Sequence, residues 1–197
     1  MGKKLRKKET AEHEKLYNSI DIPIVGKIID GGTVEGGDCL WIKNNTLLVG
    51  ESLRTNRSGI HQLKKILNYY DVKVFPIALP KQNNANSCFH LMSLVSMLDH
   101  DLAIGCLSLF SFDLKKIFND NNIKLISIPE DEYFKSKTLA VNILTLSPRE
   151  LVLIKGYPKT AELLLSEGSE IKLFNGNELC IKAEGGPTCL TRAILRQ

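Results

Sequence analysis

One structural unit is written three times along this chain, and a repeat of that kind dictates the fold before any single motif does. Each copy runs from a short apolar strand through an amphipathic helix to a second apolar strand. The first uses residues 46–50 (TLLVG), 59–71 (GIHQLKKILNYYD) and 72–77 (VKVFPI). The second uses 101–107 (DLAIGCL), 112–122 and 123–128 (IKLISI), and the third 150–155 (ELVLIK), 160–168 and 169–174 (SEIKLF). Val, Ile and Leu dominate the strands and helices separate them, which specifies an α/β arrangement. An apolar lead strand precedes each unit and carries one polar or reactive residue: Glu35, His90, Asn142. A fourth lead strand closes the chain with Cys189. These four residues are 55, 52 and 47 positions apart and so occupy near-equivalent places in successive units. Arranged around an axis, such repeats keep their helices outside and bring equivalent lead positions together.

Ahead of the first full unit, residues 11–20 read as a helix and 22–28 (IPIVGKI) as the strand after it, the second half of a further unit. Residues 33–42 are the first lead strand. Ser58 and Ser111 stand where helix N-caps belong. Ile60, Leu63, Ile66 and Leu67 form an apolar stripe, with Gln62, Lys64 and Lys65 turned outward. Residues 83–87 (NNANS) read as a loop between units. At 197 residues the chain suits one sizeable core. The domain reading is therefore a basic, flexible terminus over residues 1–10 and a single domain over 11–197.

Composition narrows the function. The net charge of +4 owes much to Lys3, Lys4, Arg6, Lys7 and Lys8. No aromatic residues interleave with them, so a solvated terminus is expected and a nucleic-acid partner is not. No apolar stretch of secretory type follows these charges, and the longest apolar runs fall far short of a membrane span. Five cysteines without a CxxC pair point to reduced thiols and a cytoplasmic setting. Cys39, Cys88, Cys106 and Cys180 lie in hydrophobic strands without paired ligand spacing, as core residues rather than zinc ligands.

Cys189 differs from those four. It follows two glycines and a proline in GGPTCLT, between Thr188 and Thr191, and a thiol becomes a nucleophile where its thiolate is stabilised. His90 is the histidine embedded in an apolar strand (CFHLMSLVSML). It is either a satisfied core residue or an acid/base group. Glu35 lies in VEGGD, where paired glycines permit close backbone approach, and a buried carboxylate there needs a cationic partner. Arg54, in LRTN, is either a surface residue or a clamp for a carboxylate.

VEGGD, LVGESLRTN, FHLMSLVS, Asn142 in VNILTL, and GGPTCLT occur in the order and at the spacing of the guanidine-modifying enzymes of the pentein superfamily. The chain resembles that superfamily, which contains dimethylargininases, arginine deiminases and glycine amidinotransferases, from about Glu12 to the C-terminus. The resemblance implies a pentein-type α/β propeller of ββαβ units, incomplete here at about four of five blades. It also implies roles. Cys189 attacks the guanidinium carbon to form a thiouronium intermediate, and His90 protonates the leaving amine and then activates water. Glu35 grips guanidinium N–H groups and orients His90, with Asp38 close behind. Arg54 holds the substrate carboxylate and Asn142 lines the site. No metal or organic cofactor is implied.

Two departures bear on these expectations. Arginine deiminases carry an acidic residue two positions after the histidine, where this chain has Met92. Family members also carry about eighty residues before the EGGD strand, including a substrate-binding acidic motif that has no place here. The expected activity is a dimethylargininase-like hydrolase of arginine or a substituted arginine. An amidinotransferase with the same site, or an inactive member serving as a binding subunit, is the alternative. Unpaired strand edges at a gap in the ring favour association with a second copy or with a separate chain that supplies the missing blade.

Overall fold

After a first helix, α1 (Glu9–Ser19), each of the three repeats folds into the same motif in this computed structural model, which describes residues 2, 6–80 and 89–194. The first consists of β1 (Cys39–Lys43), β2 (Thr46–Glu51), α2 (Arg57–Asn68) and β3 (Lys73–Ala78). The second consists of β4 (Val95–Met97), β5 (Leu102–Gly105), α3 (Phe112–Asp120) and β6 (Lys124–Ser127). A short helix, α4 (Glu130–Lys135), precedes the third: β7 (Leu144–Ser147), β8 (Glu150–Ile154), α5 (Pro158–Ser166) and β9 (Glu170–Phe174). In every sheet the lead strand pairs antiparallel with the middle strand, and the middle strand pairs parallel with the last. A parallel pair cannot be joined by a tight turn, so a helix must cross between its strands. That requirement is why each amphipathic segment sits between two apolar ones.

Two compact units divide the chain, Met1–Leu91 with the first sheet and Met92–Gln197 with the other two. In the first unit, Leu47, Val49, Ile60 and Val74 form the core, with Leu63 and Leu67 of α2 packed against it. In the second, Leu102, Ile104, Ile126, Leu151, Leu153 and Leu164 belong to one larger core. Its two sheets are fastened by the Thr145 hydroxyl donating to the Met97 carbonyl (2.6 Å) and the Arg149 N–H donating to the Leu98 carbonyl (2.9 Å). The buried Glu132 carboxylate of α4 caps α5, accepting from the N–H groups of Lys159 (2.9 Å) and Thr160 (2.8 Å). Negative charge is favoured at a helix N-terminus, which fixes α4 against α5. Among the described residues no helix is long and apolar enough to cross a membrane.

Several local expectations are corrected. Residues 22–28 are irregular, not a strand. No described strand lies beside them, and Pro23 brings no N–H to a ladder. The segment is held by α2 instead: a Cβ on Gly26 would lie 2.8 Å from Ile66, and Gln62 bonds both the N–H and the carbonyl of Ile29 at 2.8 Å. Gln62, expected to face outward, thus does the work of a neighbouring strand. The residues around Cys189 are a turn rather than a strand. The Cys189 N–H reaches the Gly186 carbonyl (3.0 Å), and the Thr191 hydroxyl reaches the Pro187 carbonyl (2.9 Å). The lead segments begin as 3-10 turns, at Gly36–Asp38, Leu91–Ser93 and Leu139–Val141. Glu35 and His90 immediately precede such a turn and Asn142 immediately follows one, so their register is not the same. The loop at 83–87, Cys88 and residues 1 and 3–5 of the basic terminus lie outside the described residues.

The cap of α3 is Ser111, as expected, accepting from the Leu114 N–H at 3.1 Å. The cap of α2 is Asn56 rather than Ser58. Its side-chain oxygen accepts from the N–H groups of Gly59 (2.8 Å) and Thr33 (3.0 Å). Ser58 lies inside the helix and is exposed. Asn56→Ala is therefore expected to lower the unfolding free energy by about 2 kcal/mol, at the upper end for a cap because the Thr33 bond is lost as well. Ser58→Ala is expected to stay within about 0.5 kcal/mol of the parent. Urea titration of the two variants checks the ordering, and equal losses would return the cap to Ser58.

Candidate active site

The loop that follows β2 builds the first group of site residues. The Ser52 hydroxyl donates to Asp38 Oδ2 (2.7 Å) and accepts from the N–H groups of Arg54 (3.0 Å) and Thr55 (3.1 Å). This closes a tight turn that sends Arg54 inward. The buried Thr55 hydroxyl then accepts the Glu35 N–H at 3.0 Å. Glu35 is placed as a consequence, because its backbone is fastened to the same turn that presents Arg54.

Four of the expected residues meet here. Arg54 Nε donates to Glu35 Oε1 at 3.0 Å, and the backbone N–H of Gly2 reaches the same oxygen at 3.0 Å. His90 Nε2 lies 3.6 Å from Glu35 Oε2, and its Nδ1 lies 3.1 Å from Asp38 Oδ2. Asp38 is completely buried, and its other oxygen accepts the Leu91 N–H at 3.1 Å. The imidazole is thus held between two carboxylates, with Asp38 fixing the ring from its Nδ1 side. A side chain on Gly37 would bring its Cβ to 2.9 Å from the ring, so the second glycine of EGGD is required for the imidazole to lie where it does.

Burial alone raises the Glu35 carboxyl, but its hydrogen bond to Arg54, the Arg54 and His90 charges and the Gly2 N–H outweigh that. The group is held below the ordinary glutamate value. Arg54, expected at a substrate carboxylate, stands in this structure on Glu35.

The second group lies in the other unit. Asn142, nearly buried, donates from Nδ2 to Cys189 Sγ at 3.4 Å. Its Oδ1 accepts from the N–H (3.0 Å) and the hydroxyl (2.8 Å) of Thr188. A Cβ on Gly186 would come within 2.3 Å of the Asn142 amide, so that glycine lets the turn close over it. Cys189 is exposed, Cys106 and Cys180 are buried, and Cys39, expected in the core, is only partly buried. Among the described residues no group of three or more His, Cys, Asp or Glu is placed to hold a metal ion. Sequence reasoning missed Ser52 and Thr55. Their signal was the run SLRTN itself, where small hydroxyl residues flank an arginine in a turn.

The family model of arginine deiminase matches residues 10–111, just over half of the chain. A dimethylarginine dimethylaminohydrolase from Pseudomonas aeruginosa is 30% identical over 192 residues, which are 96% of this chain and 67% of that protein. The chain belongs to the pentein superfamily of guanidine-modifying enzymes. A solved pentein, the Pseudomonas aeruginosa enzyme in a variant complexed with citrulline, superposes with a TM-score of 0.71 at 27% identity, over 90% of this chain and 62% of that one. The N-terminal domain of a cyanobacterial arginine dihydrolase superposes with a TM-score of 0.81 at 17% identity, over 98% of this chain and 68% of that one, and so shares the fold. This pentein chain therefore spans about two thirds of the length of the relatives it matches. The pentein-like α/β fold that the resemblance implies is thereby established.

The Glu35–Arg54 pair is buried, with side chains 6% and 12% exposed, so removing one partner leaves a charge with poor solvation. Arg54→Met is expected to destabilise this pentein by roughly 3 kcal/mol at pH 7. The sign of the pH dependence follows from the direction of the shift. Glu35 ionises more readily in the folded chain than at its ordinary value of 4.5. Its contribution is complete above that value and is lost as pH falls through the lower folded one. The gap between parent and variant should therefore narrow between pH 7 and pH 3 in urea titrations. A gap that does not change with pH would assign the loss to packing instead.

Proposed function

We propose that this chain is a cysteine-dependent hydrolase of the guanidinium C–N bond in arginine or a substituted arginine, with the three sheets serving as blades of a pentein-type propeller. The observation that carries the reading is the imidazole of His90 held between the carboxylates of Glu35 and Asp38. An imidazole so placed is the group that the proposed reaction needs to donate a proton to a departing amine. Glu35 already accepts a guanidinium N–H, from Arg54, and so has the chemistry to receive one from a substrate. The relatives named for dimethylarginine and arginine hydrolysis support the substrate class.

In this mechanism Cys189 Sγ, as thiolate, attacks the central guanidinium carbon, giving a tetrahedral adduct. The C–N bond to the leaving amine then breaks while His90 transfers its proton to that nitrogen, and a thiouronium cation remains on sulfur. His90, now neutral, takes a proton from water as the water oxygen attacks the same carbon. The C–S bond breaks, the adduct's hydroxyl proton passes to solvent as the carbonyl forms, the thiolate returns and a ureido product departs. Glu35 balances the positive charge through both steps. Asp38 holds the imidazole and stabilises its charged form. Arg54 leaves Glu35 to pair with the substrate carboxylate, which a guanidinium can do bidentately.

The test is an assay of arginine, methylated arginines and guanidino acids, reading ureido product and released amine. Cys189→Ser is expected to lower turnover at least about a thousandfold, as expected for a lost nucleophile. Unchanged turnover in that variant, or no turnover of any of these compounds by the parent chain, would sink the reading. Adding glycine or lysine separates hydrolysis from transfer, since an amidinotransferase would yield a new guanidino acid in place of the ureido product.

A further inference from the structure

Asn142 is bound on both ends of its amide, and the way it is bound decides which end faces which neighbour. The backbone N–H of Thr188 can only donate, so the atom it meets at 3.0 Å must be the carbonyl oxygen. The Thr188 hydroxyl takes up the remaining lone pair at 2.8 Å. With the oxygen thus occupied, the NH2 end is turned onto Cys189 Sγ at 3.4 Å. An amide in that state has no acceptor left for a guanidinium, whose nitrogens are all donors. It does have an N–H for sulfur, and a thiolate accepts a hydrogen bond far better than a thiol.

We propose that Asn142 is a catalytic residue that stabilises the Cys189 thiolate, and that Thr188 is the positioning residue that fixes its amide in the donating orientation. The inference deepens the proposed function and rests on the reading of Cys189 as nucleophile. Gly186 belongs to the same arrangement, because a side chain there would intrude to 2.3 Å on the amide and turn it away. Three features of GGPTCLT thereby have a stated use: the second glycine admits the amide, the threonine orients it, and the cysteine receives its proton donor.

The test reads the thiol itself and not turnover. Alkylation of Cys189 by iodoacetamide is followed across pH on the tryptic peptide 183–192, which contains no other cysteine. Asn142→Leu is expected to slow alkylation roughly tenfold at pH 7, with the profile displaced to higher pH and its high-pH plateau kept. Thr188→Val should give a smaller displacement of the same sign, and Thr188→Ser should restore the parent profile. A merely structural role predicts a uniform change in rate with the pH midpoint unmoved, because a loosened turn alters access to the already exposed residue and not its ionisation. Displaced profiles in a chain that turns over no guanidino compound would leave Asn142 a thiolate partner without a reaction and overturn both its catalytic role and the hydrolase reading. Ureido product from a chain whose profile does not move in Thr188→Val or Asn142→Leu would overturn this proposal and leave the hydrolase reading standing.

Discussion

The buried Asp38 carboxylate is the interaction on which the first unit's chemistry depends. A completely buried charge is tolerated where every lone pair finds a donor. Asp38 accepts from the Ser52 hydroxyl and the Leu91 N–H, and His90 Nδ1 lies 3.1 Å from its Oδ2. Each of these ties a different piece of chain to one point. Ser52 brings the turn after β2, and with it Arg54 and Thr55. Leu91 and His90 bring the segment before the second sheet. Glu35 is then positioned by what Asp38 has gathered, through Thr55 on its backbone and Arg54 on its side chain. An apolar residue at position 38 would leave the buried Leu91 N–H and the Ser52 hydroxyl without the acceptor that joins them.

The architecture was legible because hydrophobic periodicity reports burial, and each repeat buries the same faces. Residues 102–104 are continuously apolar because every residue of β5 is buried, so both faces of the strand are covered. What periodicity cannot report is whether a partner strand exists. The run 22–28 has the composition of a strand, yet pairing is a relation between two segments, and no described strand lies beside this one. The same limit applies to GGPTCLT, where Pro187 and the Thr191 hydroxyl favour successive turns over an extended chain. The N-cap of α2 was misassigned by two residues for a related reason. Asn56 and Ser58 are both good caps, and the choice was settled by Thr33, twenty-three positions away, which needed an acceptor for its own N–H.

The site was legible to a different degree. Glu35, Arg54 and His90 were singled out by residue type against background: a carboxylate beside paired glycines, a histidine in an apolar run, an arginine in a tight loop; Asp38 came only with the family resemblance. Their gathering in the first unit follows from that. The partner of each was not legible. An arginine in a loop can serve a ligand or a neighbouring carboxylate, and only the turn at Ser52 turns it onto Glu35. Asn142 was visible as an amide in an apolar strand, but which of its two ends faces sulfur depends on Thr188, forty-six residues further along. Hydrogen-bond direction is set by the partner, and the partner lies far off in sequence.

A charge argument connects the two groups of residues to the proposed reaction. The proposed substrate is a cation, and the first unit holds the Glu35 and Asp38 carboxylates while Arg54 is paired with Glu35. Sulfur must be ionised to attack, and the usual means is a neighbouring positive charge. A fixed lysine or arginine beside Cys189 would favour the thiolate but repel the guanidinium that the thiolate has to reach. A neutral amide avoids that conflict, since it donates a hydrogen bond to sulfur and adds no charge. The remaining stabilisation then comes from the substrate, whose own charge favours the thiolate as it arrives. Such a thiol is activated most in the presence of the compound it attacks and least when only neutral electrophiles are near. A neutral amide beside the proposed nucleophile suits a cationic substrate.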